Sequence, residues 1–154
     1  MKKLMVTFII VLIIAGVFIF SSNKVWNKNA DELGKTINGL TEENNSISLK
    51  ELTSFEWDTM YSFEPYTSKE TIYDVVGYKW DKISETVSEG MNQVIFIDDG
   101  EVVCYIYGYS NNLGYYFDIP KNGDESYGEV SSSDSKVSLK IDHVGKEEVR
   151  VLSK

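Results

Sequence analysis

One cysteine, one histidine and two prolines stand among 154 residues, and 15 lysines and arginines are outnumbered by 24 acids. A lone cysteine, Cys104, cannot close an internal disulfide in any compartment, so no internal crosslink staples the chain. The lone histidine, His143, falls in phase with Val137, Leu139 and Ile141, the pattern of a hydrogen-bonded residue at the edge of a core. Imidazole-assisted nucleophilic catalysis needs a serine or cysteine beside that histidine, and the sequence places none there. One His and one Cys also leave a zinc site short of ligands. The shortage of bases, a formal net charge of −9, argues against binding to a phosphate backbone, so no nucleic acid is expected. The chain carries no G-x-x-x-x-G-K-S/T, G-x-G-x-x-G or G-x-S-x-G, and no D-x-D-x-D-G calcium loop. No cofactor and no metal is expected, and the chain reads as a non-enzyme.

What is present begins with Leu4–Phe20, an uncharged run preceded by Lys2 and Lys3. As a helix, a run of this length extends about 25 Å, close to the hydrocarbon thickness of a bilayer once its flanks are counted. The bulky Ile19 and Phe20 occupy the positions where a signal peptidase needs small side chains, which favours an uncleaved single-pass anchor through residues 4–20. The basic leader and Trp26, placed for an outer interface, put the C-terminal portion outside the cytoplasm at the plasma membrane. Setting aside Lys2 and Lys3 leaves 13 bases against 24 acids there, a net −11, which disfavours an anionic membrane surface. The organisation expected is an anchor over 1–22, a spacer over 23–45 rich in Asn and interrupted by Gly34 and Gly39, and a domain over 46–154. Within the spacer, Leu33, Ile37 and Leu40 have helical spacing, but both glycines weaken a helix by about 1 kcal/mol each.

The domain reads as α+β: an antiparallel β-sheet with one main helix packed on a face, preceded by a single transmembrane helix. Residues 55–63 alternate, with Phe55, Trp57, Tyr61 and Phe63 on one side and Glu56, Asp58 and Met60 on the other. Thr67 and Glu70 resemble a capping box, Ile72, Val75 and Val76 make a helical stripe, and Gly77 is a left-handed stop. A polar connection over 81–92 leads to an apolar strand, which Asp98-Asp99-Gly100 turns into the strand from Glu101 to Tyr109, a hairpin at the centre of the sheet. Asn122-Gly123 signals a second hairpin joining 115–119 to 124–130, and a third strand pair fits around Gly145.

The informative excess is tyrosine, ten residues in all, with Tyr105, Tyr107 and Tyr109 in strand phase. Tyrosine offers large contact area with a polar tip and is enriched at interfaces. The function expected is therefore an anchored extracytoplasmic protein-binding module, an inhibitor or toxin-neutralising, immunity-like protein among its versions. It would engage a basic protein partner through Trp57, Tyr105, Tyr107, Tyr109, Glu56 and Asp58. The alternatives are a cell-wall glycan-acting enzyme using the carboxylates of Glu56 and Asp58, and an accessory subunit of a membrane complex. Glycoside hydrolysis needs two such carboxyls across a sugar, but acids on the wet side of a half-buried strand are ordinary.

Residues 55–72, FEWDTMYSFEPYTSKETI, followed by VVGYKW and VIFIDDGEVV, resemble a group of small exported or membrane-tethered proteins of Gram-positive bacteria that lack an assigned activity. The resemblance covers about residues 48–108. It implies the compartment and the presence of a domain, and it carries no catalytic residues across.

Overall fold

The computed structural model describes residues 25–154, and the apolar run over 4–20 lies outside them. Among the described residues no helix is long and apolar enough to cross a membrane. The fold is α+β, with two four-stranded sheets where the alternation predicted one.

A helix, α1, covers residues 25–38 of the stretch expected to be a spacer. Its Leu33 and Ile37 are fully buried in the main core, and Asn29 and Asn38 donate from Nδ2 to the carbonyls of Val103 and Leu113, each at 2.8 Å. Gly34 is no interruption: a Cβ there would stand 3.3 Å from the ring of Tyr115, so its bareness lets the ring lie against the helix. The spacer reading is thus corrected over these residues, because burial of an apolar stripe outweighs the modest helical cost of two glycines.

The first sheet has the order β1–β7–β8–β5, from β1 (Asn44–Ser48), β7 (Lys136–Val144), β8 (Glu147–Ser153) and β5 (Tyr115–Asp118). Its β7–β8 hairpin is the one expected around Gly145, whereas β5 joins β8 in parallel. The second sheet has the order β4–β3–β2–β6, from β4 (Glu101–Tyr109), β3 (Met91–Asp98), β2 (Thr59–Phe63) and β6 (Tyr127–Ser131). In the β3–β4 turn, Asp99 and Gly100 hold φ values of 47° and 78°, the double positive φ of a tight hairpin. That hairpin is not central, because β4 forms an edge. Asn122-Gly123 likewise turns the chain from one sheet to the other and joins no paired strands, since β5 pairs with β8 and β6 with β2.

Two apolar layers result. The inner layer is shared by both sheets and gathers Leu33, Ile37, Trp57, Met60, Phe96, Phe117, Leu139 and Leu152. A short helix, α2 (Leu49–Leu52), contributes Leu49 and Leu52. The outer layer lies on the other face of the second sheet, where Phe63, Ile95, Ile97 and Tyr105 meet Ile72 and Val76 of the helix α3 (Lys69–Val76). Ser68 caps α3 by accepting from the Thr71 N–H, one residue later than the predicted Thr67 cap, and Gly77 ends it at φ 93°. The predicted strand face over 55–63 divides between these layers. Only 59–63 is strand, so Trp57 turns inward beside Met60 while Tyr61 and Phe63 face outward.

Besides this shared packing, a buried side chain hydrogen-bonds one sheet to the other. Buried Asn92 of β3 accepts the Phe117 N–H at 3.1 Å and donates to the Tyr115 carbonyl at 3.5 Å. Its amide thereby supplies the free edge of β5 with the donor and acceptor that a neighbouring strand would have provided.

Candidate binding surface

The outer layer ends in a strap, residues 78–90, which runs over the face of β4 and is fastened by tyrosine hydroxyls. The Tyr105 hydroxyl accepts from the Ser84 N–H at 3.1 Å and from Gln93 Nε2 at 3.2 Å, and that same Nε2 donates to the Ser84 carbonyl at 2.6 Å. Tyr107 donates to the Glu85 carbonyl at 2.8 Å, and the Tyr78 hydroxyl accepts the Val102 N–H at 3.1 Å. Thr86, buried, accepts the Tyr66 N–H at 2.9 Å. The segment predicted as a polar connection is thus an ordered cover whose Ile83 packs into the outer layer.

Four exposed apolar residues belong to the strap or to segments tied to it or bordering it. Tyr66 is 60% exposed, Val87 71%, Tyr107 36% and Tyr109 41%. Tyr66 reaches the strap at Thr86, Tyr107 reaches it at Glu85, and Tyr109 pairs with Met91, just past the strap's end. Glu64, Glu85 and Glu89 stand exposed around these residues. Glu64 lies 3.7 Å from Lys121, and the Glu85 carboxylate accepts the Lys69 N–H. Tyr66 holds φ 69°, a left-handed conformation that costs a bulky residue of order 1–3 kcal/mol and persists only where its surroundings enforce it.

The six residues proposed from sequence do not assemble into one face. Trp57 is 2% exposed, stacked edge-on against Phe96 at 5.2 Å, with its Nε1 donating to Thr53 Oγ1. Tyr105 is 7% exposed beneath the strap. Both belong to the packed interior, and on opposite faces of the second sheet, so neither can dock a partner. Tyr107 and Tyr109 remain available. Glu56 and Asp58 are exposed but lie at the far end of β4, beside the β3–β4 turn; eight residue steps along a strand cover about 27 Å. Glu56 stands 3.7 Å from Lys50, and Asp58 accepts the Asp99 N–H at 2.9 Å, so each has a structural partner. Tyr66 and Val87 carried no sequence signal: one follows a proline at a strand end, the other sits in a polar connection.

The titratable groups fit structural roles. Burial pushes the Cys104 thiol well above its usual range, which leaves it a poor nucleophile. Asp98 is raised, first by desolvation and then by the neighbouring carboxylates of Asp58, Asp99 and Glu56. Among the described residues, no group of three or more His, Cys, Asp or Glu has the arrangement to hold a metal ion. A groove of about 600 Å³ runs along α1, walled by Asp31, Lys35 and Asn38 on one side and Tyr105, Tyr107 and Leu113 on the other.

No protein-family model matches the chain, and neither a curated protein nor a solved structure matches it.

Proposed function

We propose that this chain is a membrane-anchored extracytoplasmic binding module that captures a basic protein through Tyr66, Val87, Tyr107 and Tyr109, in the manner of an inhibitor or immunity protein. The observation that carries this reading is the exposure of four large apolar side chains around one hydrogen-bonded strap, with carboxylates at the rim. Exposed apolar groups rimmed by polar residues mark interaction sites, and aromatic rings with hydroxyl tips suit them. The acidic rim would steer a basic partner and raise its association rate, while the rings would hold the complex. The apolar run over 4–20 and the resemblance of residues 55–72 to tethered bacterial proteins support the compartment.

The test is capture of the partner from detergent-solubilised membranes by the full-length chain, followed by binding measurements with Tyr107→Ala and with Glu64→Gln/Glu85→Gln/Glu89→Gln. The ring variant is expected to raise the dissociation rate and the triple variant to lower the association rate. Unchanged binding by folded Tyr107→Ala and Tyr66→Ala variants would remove this face from consideration.

A further inference from the structure

We infer that the corner of the domain at the start of α1 is a membrane-apposed surface, holding Trp26 and Trp80 near the headgroup level of the bilayer. The inference rests on the anchoring reading of residues 4–20. Its physical basis is the absence of slack in α1. The Trp26 ring meets Trp80 edge-on at 5.2 Å and Tyr105 at 6.0 Å. Asn29 then ties the helix to the Val103 carbonyl, Leu33 and Ile37 are buried at 1% and 0%, and Asn38 ties its far end to Leu113. Between Phe20 and the first helical residue described, Val25, stand only Ser21, Ser22, Asn23 and Lys24. The five residue steps from Phe20 to Val25 span at most about 18 Å even fully extended. An anchored domain with this connection cannot stand off from the lipid.

The corner has the composition of an interface. Val25 is 44% exposed, Trp26 and Trp80 are half-buried, and Lys28, Lys79 and Lys82 are exposed within two residues of one or other tryptophan. Tryptophan settles at the headgroup level. The lysines there are matched by acids: Glu32 lies 3.5 Å from Lys28 and Asp81 2.7 Å from Lys82, while Lys79 shares a groove with Glu70 and Asp74, so the corner carries no excess of positive charge and its aromatic rings are what suit an interface. Ring-to-ring steps of 6.0 Å lead from Trp26 to Tyr105 and again from Tyr105 to Tyr107, so a partner reaching Tyr107 meets it beside the bilayer.

The full-length chain reconstituted into phosphatidylcholine/phosphatidylglycerol vesicles, with and without a headgroup nitroxide, tests this directly. Trp57, deep in the inner layer, is the built-in reference among the three tryptophans. The nitroxide is expected to remove most of the emission contributed by Trp26 and Trp80, and none of that from Trp26→Phe/Trp80→Phe, in which only Trp57 emits. A chain that floats with the vesicles but whose emission the nitroxide leaves unchanged overturns the inference and spares the anchor. A chain that fails to float overturns both. The protein-binding reading is untouched by either result, since no partner is present.

Discussion

The two apolar layers on either face of the second sheet are built from different materials. The inner layer is filled mainly by leucine, isoleucine, valine and phenylalanine, with Trp57, Met60, Cys104 and a single tyrosine, Tyr115, among them. The outer layer is covered by one short helix and a strap, and it leans on Tyr61, Tyr73, Tyr78, Tyr105, Tyr127, Trp26 and Trp80. Aliphatic packing between two sheets closes itself. A strap without regular secondary structure has backbone groups that need partners, and tyrosine supplies ring area and a hydrogen bond together. The inner layer thus sets stability, while the outer layer sets where exposed rings stand.

Substitutions should separate the two. The largest effect is expected from Ile37→Ala, which empties a fully buried site of the inner layer and should cost about 2–5 kcal/mol in urea unfolding; a near-zero change would restore α1 to a spacer. Asn92→Leu should come next, at about 1–3 kcal/mol, because the Tyr115 carbonyl and Phe117 N–H lose their partner while remaining buried. Alkaline pH probes both layers at once. Burial raises the phenol of Tyr105 in the outer layer and of Tyr115 in the inner one above the ordinary 10.0. The folded state therefore holds these protons more tightly than the unfolded one. Stability is full below pH 10.0 and falls as pH rises beyond it, and tyrosinate absorbance should grow with the loss of near-ultraviolet circular dichroism.

At the outer rim the balance between stability and binding should reverse. Tyr107→Ala is expected to change unfolding by about 1 kcal/mol or less yet to weaken partner binding by about 2 kcal/mol, near thirtyfold. The smallest stability change belongs to Tyr66→Gly. Releasing its φ of 69° should leave unfolding within about 1 kcal/mol of the parent, on the stabilising side, while binding falls. A marked destabilisation there would show that the ring serves the fold.

Local turns and stops were legible because their chemistry is local. Asp99-Gly100 demanded two positive φ angles, Gly77 a left-handed stop, and the β7–β8 pair alternated around Gly145. What could not be read was decided at a distance. Nothing in residues 115–118 announces a parallel partner at 150–153. The Asn-Gly turn kept its geometry, with Gly123 at φ 58°, but what it connects depends on that remote pairing. Asn29 and Asn38 fall in the Asn-rich stretch expected to be a spacer, and the Val103 and Leu113 carbonyls they serve lie more than seventy residues away in sequence. The tyrosine excess pointed to a contact surface, and the in-phase Tyr105 and Tyr107 do lie side by side, their rings 6.0 Å apart. Which ring is covered was fixed by the strap, whose path follows from hydrogen bonds no periodicity records. The exposed residue with the clearest backbone strain, Tyr66, has no pattern to betray it.

The place of β8 has a consequence for the order of events as the chain is made. Residues 147–153 lie between β7 and β5 in the interior of their sheet, so until they emerge β5 has no neighbour of its own and β7 only β1. The pairing of β5 with β8 spans more than thirty residues, and contacts of that kind are slow to form because a long loop must close first. Closing of the first sheet therefore waits for residues 147–153, whereas every strand of the second sheet, from Thr59 to Ser131, is made before them and can pair without β8.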